Sequence, residues 1–162
     1  MRRLAAPAAG LVLAMAAGCA PGGSRAASYC STAPDGQLAV LVTSAKARHC
    51  FRVERAETAE QQRKGLMYRT DLSPDGGMLF SPYPTGGGGP QVANFWMKNT
   101  PSALDIVFIR ADGTIARIAE NTVPFSEDAV TSGEPVGSVL ELVGGRTGAL
   151  GIVEGDRVTW QK

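Results

Sequence analysis

Apolar residues recur along this chain in short runs, mostly with the period of two that a strand requires. Gln37–Ser44 (QLAVLVTS) and His49–Ala56 (HCFRVERA) run apolar or alternate, which predicts two strands near the start of the globular part. Further strands are predicted at Gly76–Phe80, Gln91–Lys98, Ala103–Ala111, Thr114–Glu120 and Ser138–Val143, with a last one near Arg157–Gln161. Helical signals are few. Thr58-Ala-Glu-Gln61 has the pattern of a capping box, and Gly65 is a natural stop, so one or two helical turns fit between them. Arg146–Leu150 predicts one more turn, ended by Gly151. The run Ser81–Pro90 (SPYPTGGGGP) has no periodicity and reads as a surface loop. Its four glycines are not followed by Gly-Lys-Ser/Thr, so they make no phosphate cradle.

This pattern predicts a mainly β (β-rich α+β) fold. It is a small antiparallel barrel or sandwich with one or two short helices, formed by residues 37–162 as a single domain. The 20 glycines and 10 prolines agree, because closely spaced strands need many turns.

The most definite register comes from Asp112-Gly113, a hairpin signal between two apolar runs. With those two residues as the loop, Ile109 faces Ala116, Val107 faces Ile118 and Asp105 faces Glu120. Two carboxylates then meet at the margin of an apolar surface, which destabilises unless they share a proton, hold a metal or take a cation between them. Lys98 is the candidate cation, because it precedes the Asn99–Ser102 turn that leads back to this strand. A structural reading stands beside these: an aspartate next to the Asn99–Ser102 turn commonly accepts backbone hydrogen bonds and closes the loop.

Composition narrows the class further. Hydrophobic content of 44% with 19% charged residues describes a globular chain, and a net charge of +1 gives no basic excess for nucleic acid. Residues 1–18 read as a signal peptide of the lipoprotein type. Arg2 and Arg3 precede the apolar stretch Leu4–Ala17, and Gly18-Cys19 places Cys19 for lipidation. Residues 19–36 read as a flexible linker. The expectation is export to the periplasmic side of the cell envelope, anchored to the membrane through Cys19. Ordinary cleavage, giving a secreted or soluble periplasmic protein, is the alternative. In that oxidising setting Cys30 and Cys50 predict a disulfide. A reactive Cys50 activated by His49 is poorly placed, since neighbours on a strand point to opposite faces.

Several short stretches, in order, carry a resemblance: Gly65-Leu-Met-Tyr-Arg69, Gly77-Met-Leu-Phe80, Phe95-Trp-Met-Lys-Asn-Thr100, Leu104-Asp105, Asp112-Gly113, Val139-Leu-Glu-Leu142, Gly151-Ile152 and Gly155-Asp156. From about Cys50 to Trp160 the chain resembles the bacterial and archaeal family catalogued as domain of unknown function 192. The resemblance implies a compact, β-rich, often exported domain, and implies no particular activity.

Candidate chemistry is sparse. One histidine excludes a His-rich zinc site and disfavours a Ser-His-Asp triad, and no nucleotide or cofactor fingerprint appears, so no cofactor is expected. The leading reading is a non-catalytic ligand-binding or accessory module for a glycan, peptide or small molecule. Asn94, Trp96 and Lys98 share one face of their strand, with Asn99, Asp105 and Glu120 nearby, while Ala93, Phe95 and Met97 form the core face. A second reading is a hydrolase using the carboxylates Asp105 and Glu120, with Glu141 as a third acid. A third is a Cu(I) site built from the thioethers Met67, Met78 and Met97 beside Trp96, against which stands core filling by methionine.

Overall fold

The computed structural model describes Cys30 and residues 36–161. Signal, linker and Cys19 therefore lie outside the described residues, apart from Cys30 and Gly36. Nine strands and two short helices follow in order: β1 Leu38–Thr43, β2 Arg48–Ala56, α1 Ala59–Lys64, β3 Gly76–Phe80, β4 Gln91–Phe95, β5 Leu104–Ile109, β6 Ile115–Ala119, β7 Val130–Val136, β8 Ser138–Val143, α2 Arg146–Leu150 and β9 Arg157–Trp160.

Seven strands form one curled sheet in the order β6-β5-β8-β3-β2-β1-β9, and β4 with β7 forms a separate two-stranded sheet. The curl brings the outer strands toward each other. Thr114 bridges Arg157, and the Val158 amide donates to the Gly113 carbonyl at 2.8 Å. The result is a mainly β half-barrel with a second β layer. The large sheet is mixed rather than purely antiparallel, because β2 and β3 run parallel. Their connection needs a crossover, and α1 with the loop after it supplies one. The capping box forms there as the sequence implies. Thr58 Oγ1 accepts from the Gln61 amide at 3.2 Å, and Gln61 Oε1 accepts from the Thr58 amide at 2.9 Å.

Two apolar cores lie on opposite faces of the sheet. Val40, Val42, Phe51, Val107, Leu140 and Leu142 fill the concave side. Met78, Phe80, Ile106, Phe108 and Val139 face the other side, where Leu66, Ala93, Met97 and Val136 cover them. β5 and the first five residues of β8 are buried on both faces, which explains their nearly unbroken apolar runs. Side chains alternate, so Leu140 and Leu142 enter one core while Val139 and Glu141 turn to the other.

The β5–β6 hairpin differs from expectation at its tip. Arg110 donates to the Thr114 carbonyl at 2.9 Å, and Gly113 donates to the Arg110 carbonyl at 3.0 Å. The loop therefore has three residues, with Gly113 at φ +87°, a conformation that suits glycine. Asp112 Oδ1 fixes it by accepting from the Thr114 amide at 2.9 Å. Ile109 consequently pairs with Ile115, not Ala116, and a bulge then restores the expected register, with Val107 opposite Ile118.

The sequence pattern shows no strand at β7. Gly133 and Pro135 interrupt it, and a two-stranded edge tolerates both.

Candidate functional site

Glu141 is the side chain that stands out. It projects from the middle of β8, between Met78 of β3 and Ile106 of β5, on the face covered by α1 and β4. It is 5% exposed. Its Oε2 has no hydrogen-bond partner. Burial pushes the carboxyl up to about 8, so it is mostly protonated at neutral pH. An unpaired buried polar group of this kind costs about 1–3 kcal/mol.

Glu141 lines a cavity of about 220 Å³. The C-terminal end of α1 forms one wall, with Gln62 and Gly65, and Leu66 and Met67 continue it. Gln62 holds that wall in place by donating to the carbonyls of Ala56 at 3.0 Å and Pro82 at 2.7 Å. Gly65 leaves space that a side chain would take. A Cβ there would stand 3.3 Å from Phe80 Cζ and 3.7 Å from Glu141 Oε2. The aromatic wall is a packed group: Phe80 and Phe95 meet edge to face at 5.1 Å, and Tyr83 lies 5.5 Å from Phe95. Asn94 and Trp96 line the opening, and Trp96 is 47% exposed. Arg63 and Lys64 are exposed at the same side.

Two further exposed aromatics, linked to the lining residues Met67 and Thr100 by adjacency in the chain or by a backbone hydrogen bond, lie on left-handed backbone. Tyr68 has φ +65° and is 70% exposed; Phe125 has φ +60° and is 63% exposed. The Tyr68 amide donates to Asn99, and the Phe125 amide donates to Thr100, which itself lines the cavity. Bulky residues rarely adopt positive φ, and such outliers gather at functional sites.

The residues singled out from sequence separate into groups. Asn94, Trp96 and Met67 converge on the Glu141 cavity. Lys98 turns to the surface, 3.4 Å from Glu127 and with its Nζ 5.3 Å from the Trp96 ring centroid. Asn99, at φ +56°, serves the loop through its backbone. Asp105 lies on the opposite face of the sheet, beside the start of α2. Its Oδ1 accepts from the amides of Asn121 and Gly145, each at 2.7 Å. Its Oδ2 accepts from the amide and hydroxyl of Thr147, each at 2.7 Å. These four bonds occupy the carboxylate with loop closure. Glu120 is exposed and lies over Gly148 of α2. Met78 and Met97 belong to the core of the covered face, and the Thr122 hydroxyl lies 3.1 Å from Met97 Sδ. Cys50 is bonded to Cys30, with Cα atoms 5.6 Å apart, so it presents no free thiol.

Sequence reading reached Glu141 only as a third acid in a carboxylate set. The signal was present: an acid inside the doubly apolar run SVLELV. What the sequence does not reveal is the covering of that face by residues 40 to 80 positions upstream.

A larger hollow of about 450 Å³ lies between the glycine-rich loop and the β5–β6 turn, edged by Pro84, Gly87, Asp112 and Trp160. Its cations are engaged: Arg110 with Glu134 at 2.5 Å, and Arg157 with the Asp112 carbonyl at 3.0 Å. It holds no orphaned buried polar atom among the described residues, whereas the smaller cavity does.

Solved structures similar to this chain include two proteins. One, from Sinorhizobium meliloti 1021, is described as a candidate transcription regulator; it is 42% identical, with a TM-score of 0.71, over 76% of this chain and 93% of its own. The other, a protein of unknown function from Novosphingobium aromaticivorans DSM 12444, is 43% identical with a TM-score of 0.71, over 76% of this chain and 85% of its own. Comparison with curated proteins gives no match. Residues 40–160 match the family described as DUF192, Uncharacterized ACR, and the chain belongs to that family.

Proposed function

We propose that the protein is a non-catalytic ligand-binding or accessory module whose ligand enters the cavity above Glu141. The observation that carries this reading is the orphaned Oε2 of Glu141 beside an aromatic wall. A buried polar atom without a partner destabilises the fold, and a leucine or methionine in its place would not. A bound group supplying the missing partner gives the arrangement a use. At about 220 Å³ the cavity is smaller than the roughly 300–1,000 Å³ usual for a whole drug-sized ligand. It suits a side chain, a terminal sugar or a small head group, with the rest of the ligand resting on Trp96 and the neighbouring exposed aromatics.

The same proposal places the module on the periplasmic side of the envelope, anchored through Cys19. The leader pattern Arg2–Cys19 supports export, and a Cys30–Cys50 disulfide suits an oxidising compartment.

The test is to purify the protein from its own envelope and identify what stays bound by native mass spectrometry. The reading expects a small compound, retained by the parent and lost in both Trp96→Ala and Glu141→Met, with unchanged circular dichroism. Retention of the same compound by both variants, or no retained compound in the parent, overturns it.

A further inference from the structure

We propose that the cavity above Glu141 takes a compact organic cation, an ammonium carried on an apolar stem. This rests on the reading of the cavity as a ligand site and narrows it by chemistry.

The floor offers one unpartnered carboxyl oxygen, and the wall offers Phe80, Tyr83 and Phe95. Aromatic rings attract a cation electrostatically, most strongly where water is excluded. Trp96 at the opening already does so, with the Lys98 ammonium 5.3 Å from the ring centroid. A carboxyl beside aromatic rings is thus suited to a positive head group. Leu66 and Met67 supply apolar contact for the stem.

Magnitudes decide between this guest and a neutral one. A guest with an oxygen acceptor takes a single hydrogen bond from the Glu141 O–H. A cation displaces that proton: R–NH₃⁺ with the carboxylic acid gives R–NH₃⁺ paired to carboxylate, and one proton passes to solvent. Burial holds the acid protonated to about 8, so ionising it at pH 7 costs a factor of about ten. A charge-assisted bond is roughly twice as strong as a neutral one, and with the aromatic wall it is set against that factor of ten and the desolvation of the ammonium.

The groups facing Glu141 do not oppose this strongly. From β3 and β5 come Met78 and Ile106, both uncharged. Beyond Met78, Glu54 is paired with Arg69 at 2.5 Å. From β4 and the residue after it come Asn94, Phe95 and Trp96, and from the following turn Thr100; the loop after β3 adds Tyr83. From α1 come Arg63 and Lys64, which are exposed and therefore screened by salt. Both favour the ionised form of Glu141, and both, with Lys98 beside Trp96, repel a cationic guest through salt-screened solvent.

The experiment is an NMR titration of the purified protein with n-butylammonium, n-butanol and butyrate at pH 6, 7 and 8. Butylammonium is expected to shift the signals of Phe80, Phe95 and Trp96, with affinity rising about tenfold from pH 6 to pH 7. Glu141→Gln, which cannot ionise, is expected to weaken it at least tenfold and to remove the pH dependence, with an unfolding midpoint no lower than the parent's. Butanol or butyrate binding the same signals more tightly than the ammonium sinks the inference and leaves the ligand site standing. So does an ammonium affinity that is flat or falls from pH 6 to pH 8. If none of the three probes moves those signals, the inference is overturned as well, and the ligand site is decided by the retention experiment. The probe series needs only the parent protein, so the outcome stands even where the variant folds poorly.

Discussion

Asp105 and Glu141 are buried acids on paired strands, and they face opposite sides of the same sheet. Asp105 stands opposite Leu142, and Ile106 stands opposite Glu141, so one register step separates the two acids. Asp105 receives four hydrogen bonds, while Glu141 Oε2 receives none. One acid is built into the fold; the other is carried by it.

That contrast sets the first prediction. Glu141→Met keeps the volume of the side chain and removes the orphaned oxygen. Stability in urea is expected to rise by about 1–3 kcal/mol. A fall of similar size would mean that Glu141 has a structural partner and does not mark a ligand site.

Glu141 also fixes the direction of pH dependence. Its carboxyl titrates near 4.5 when unfolded and near 8 when folded. Between those values the native state holds a proton that the unfolded chain has released. Stability therefore falls as pH rises through the window, with a slope of up to about 1.4 kcal/mol per pH unit. Below 4.5 both states are protonated and above 8 both are ionised, so the contribution is flat outside it. Asp71 and Asp112 act elsewhere. The Arg69 guanidinium and the Thr114 amide hold them below the ordinary carboxylate range. Urea unfolding at pH 5, 6, 7 and 8 measures the slope, and Glu141→Met is expected to abolish most of it.

Asp105→Asn should behave in the opposite way. One of its two oxygens becomes an NH₂ facing donors, either the amides of Asn121 and Gly145 or the amide of Thr147, whose hydroxyl can turn to accept. Two donors then meet with no acceptor. The expected loss is on the order of 3 kcal/mol, read by denaturant unfolding. A near-neutral variant would show that these bonds do not hold the start of α2.

These two acids also mark how far the sequence could be read. Both sit inside apolar runs, LDIVFI and SVLELV, and that alone marks them as unusual. The pairing of Val107 with Ile118 could be deduced, because Asp112-Gly113 anchors a local hairpin. The partner strands of β8 could not. β3 and β5 reach it from about 60 and 30 residues away, and only their arrival decides which core Glu141 enters. β7 gives no strand signal in the sequence because Gly133 and Pro135 erase its alternation. A period of two groups Asn94 with Trp96 and sets Phe95 apart, yet the strand ends at Phe95 and all three line the cavity beside Glu141. Counting back from Asp112-Gly113 sets Asp105 against Glu120, whereas Asp105 is bonded to Asn121, Gly145 and Thr147, and Glu141 meets Trp96 only through the covering layer.

The disulfide gives a prediction independent of the cavity. Cys30 and Cys50 are 20 residues apart in sequence, and Cys50 lies on β2 opposite Leu41. Closing a loop of that length restricts the unfolded chain and stabilises by about 3 kcal/mol in the chain-entropy model. Cys30→Ser/Cys50→Ser is expected to lower stability by about that amount while leaving the sheet intact by circular dichroism. An unchanged unfolding midpoint would mean that the bridge does not form in the protein as isolated.

Tyr68 and Phe125 separate stability from binding. Each holds positive φ, which costs a residue with a side chain about 1–2 kcal/mol, and each leaves most of its ring in water. Burial contributes little at these positions, so packing does not explain the conformations. Glycine relieves the backbone cost and loses about 0.5–1 kcal/mol of that gain to the entropy of the unfolded chain. Tyr68→Gly and Phe125→Gly are therefore expected to unfold at the parent's denaturant midpoint or slightly above it. If the two rings extend the Trp96 surface beside the cavity, both variants should also retain less of the compound found with the parent protein. A clear drop in stability would assign the rings to folding. Unchanged retention would confine the ligand to the cavity itself, between Glu141 and the Phe80–Phe95 wall.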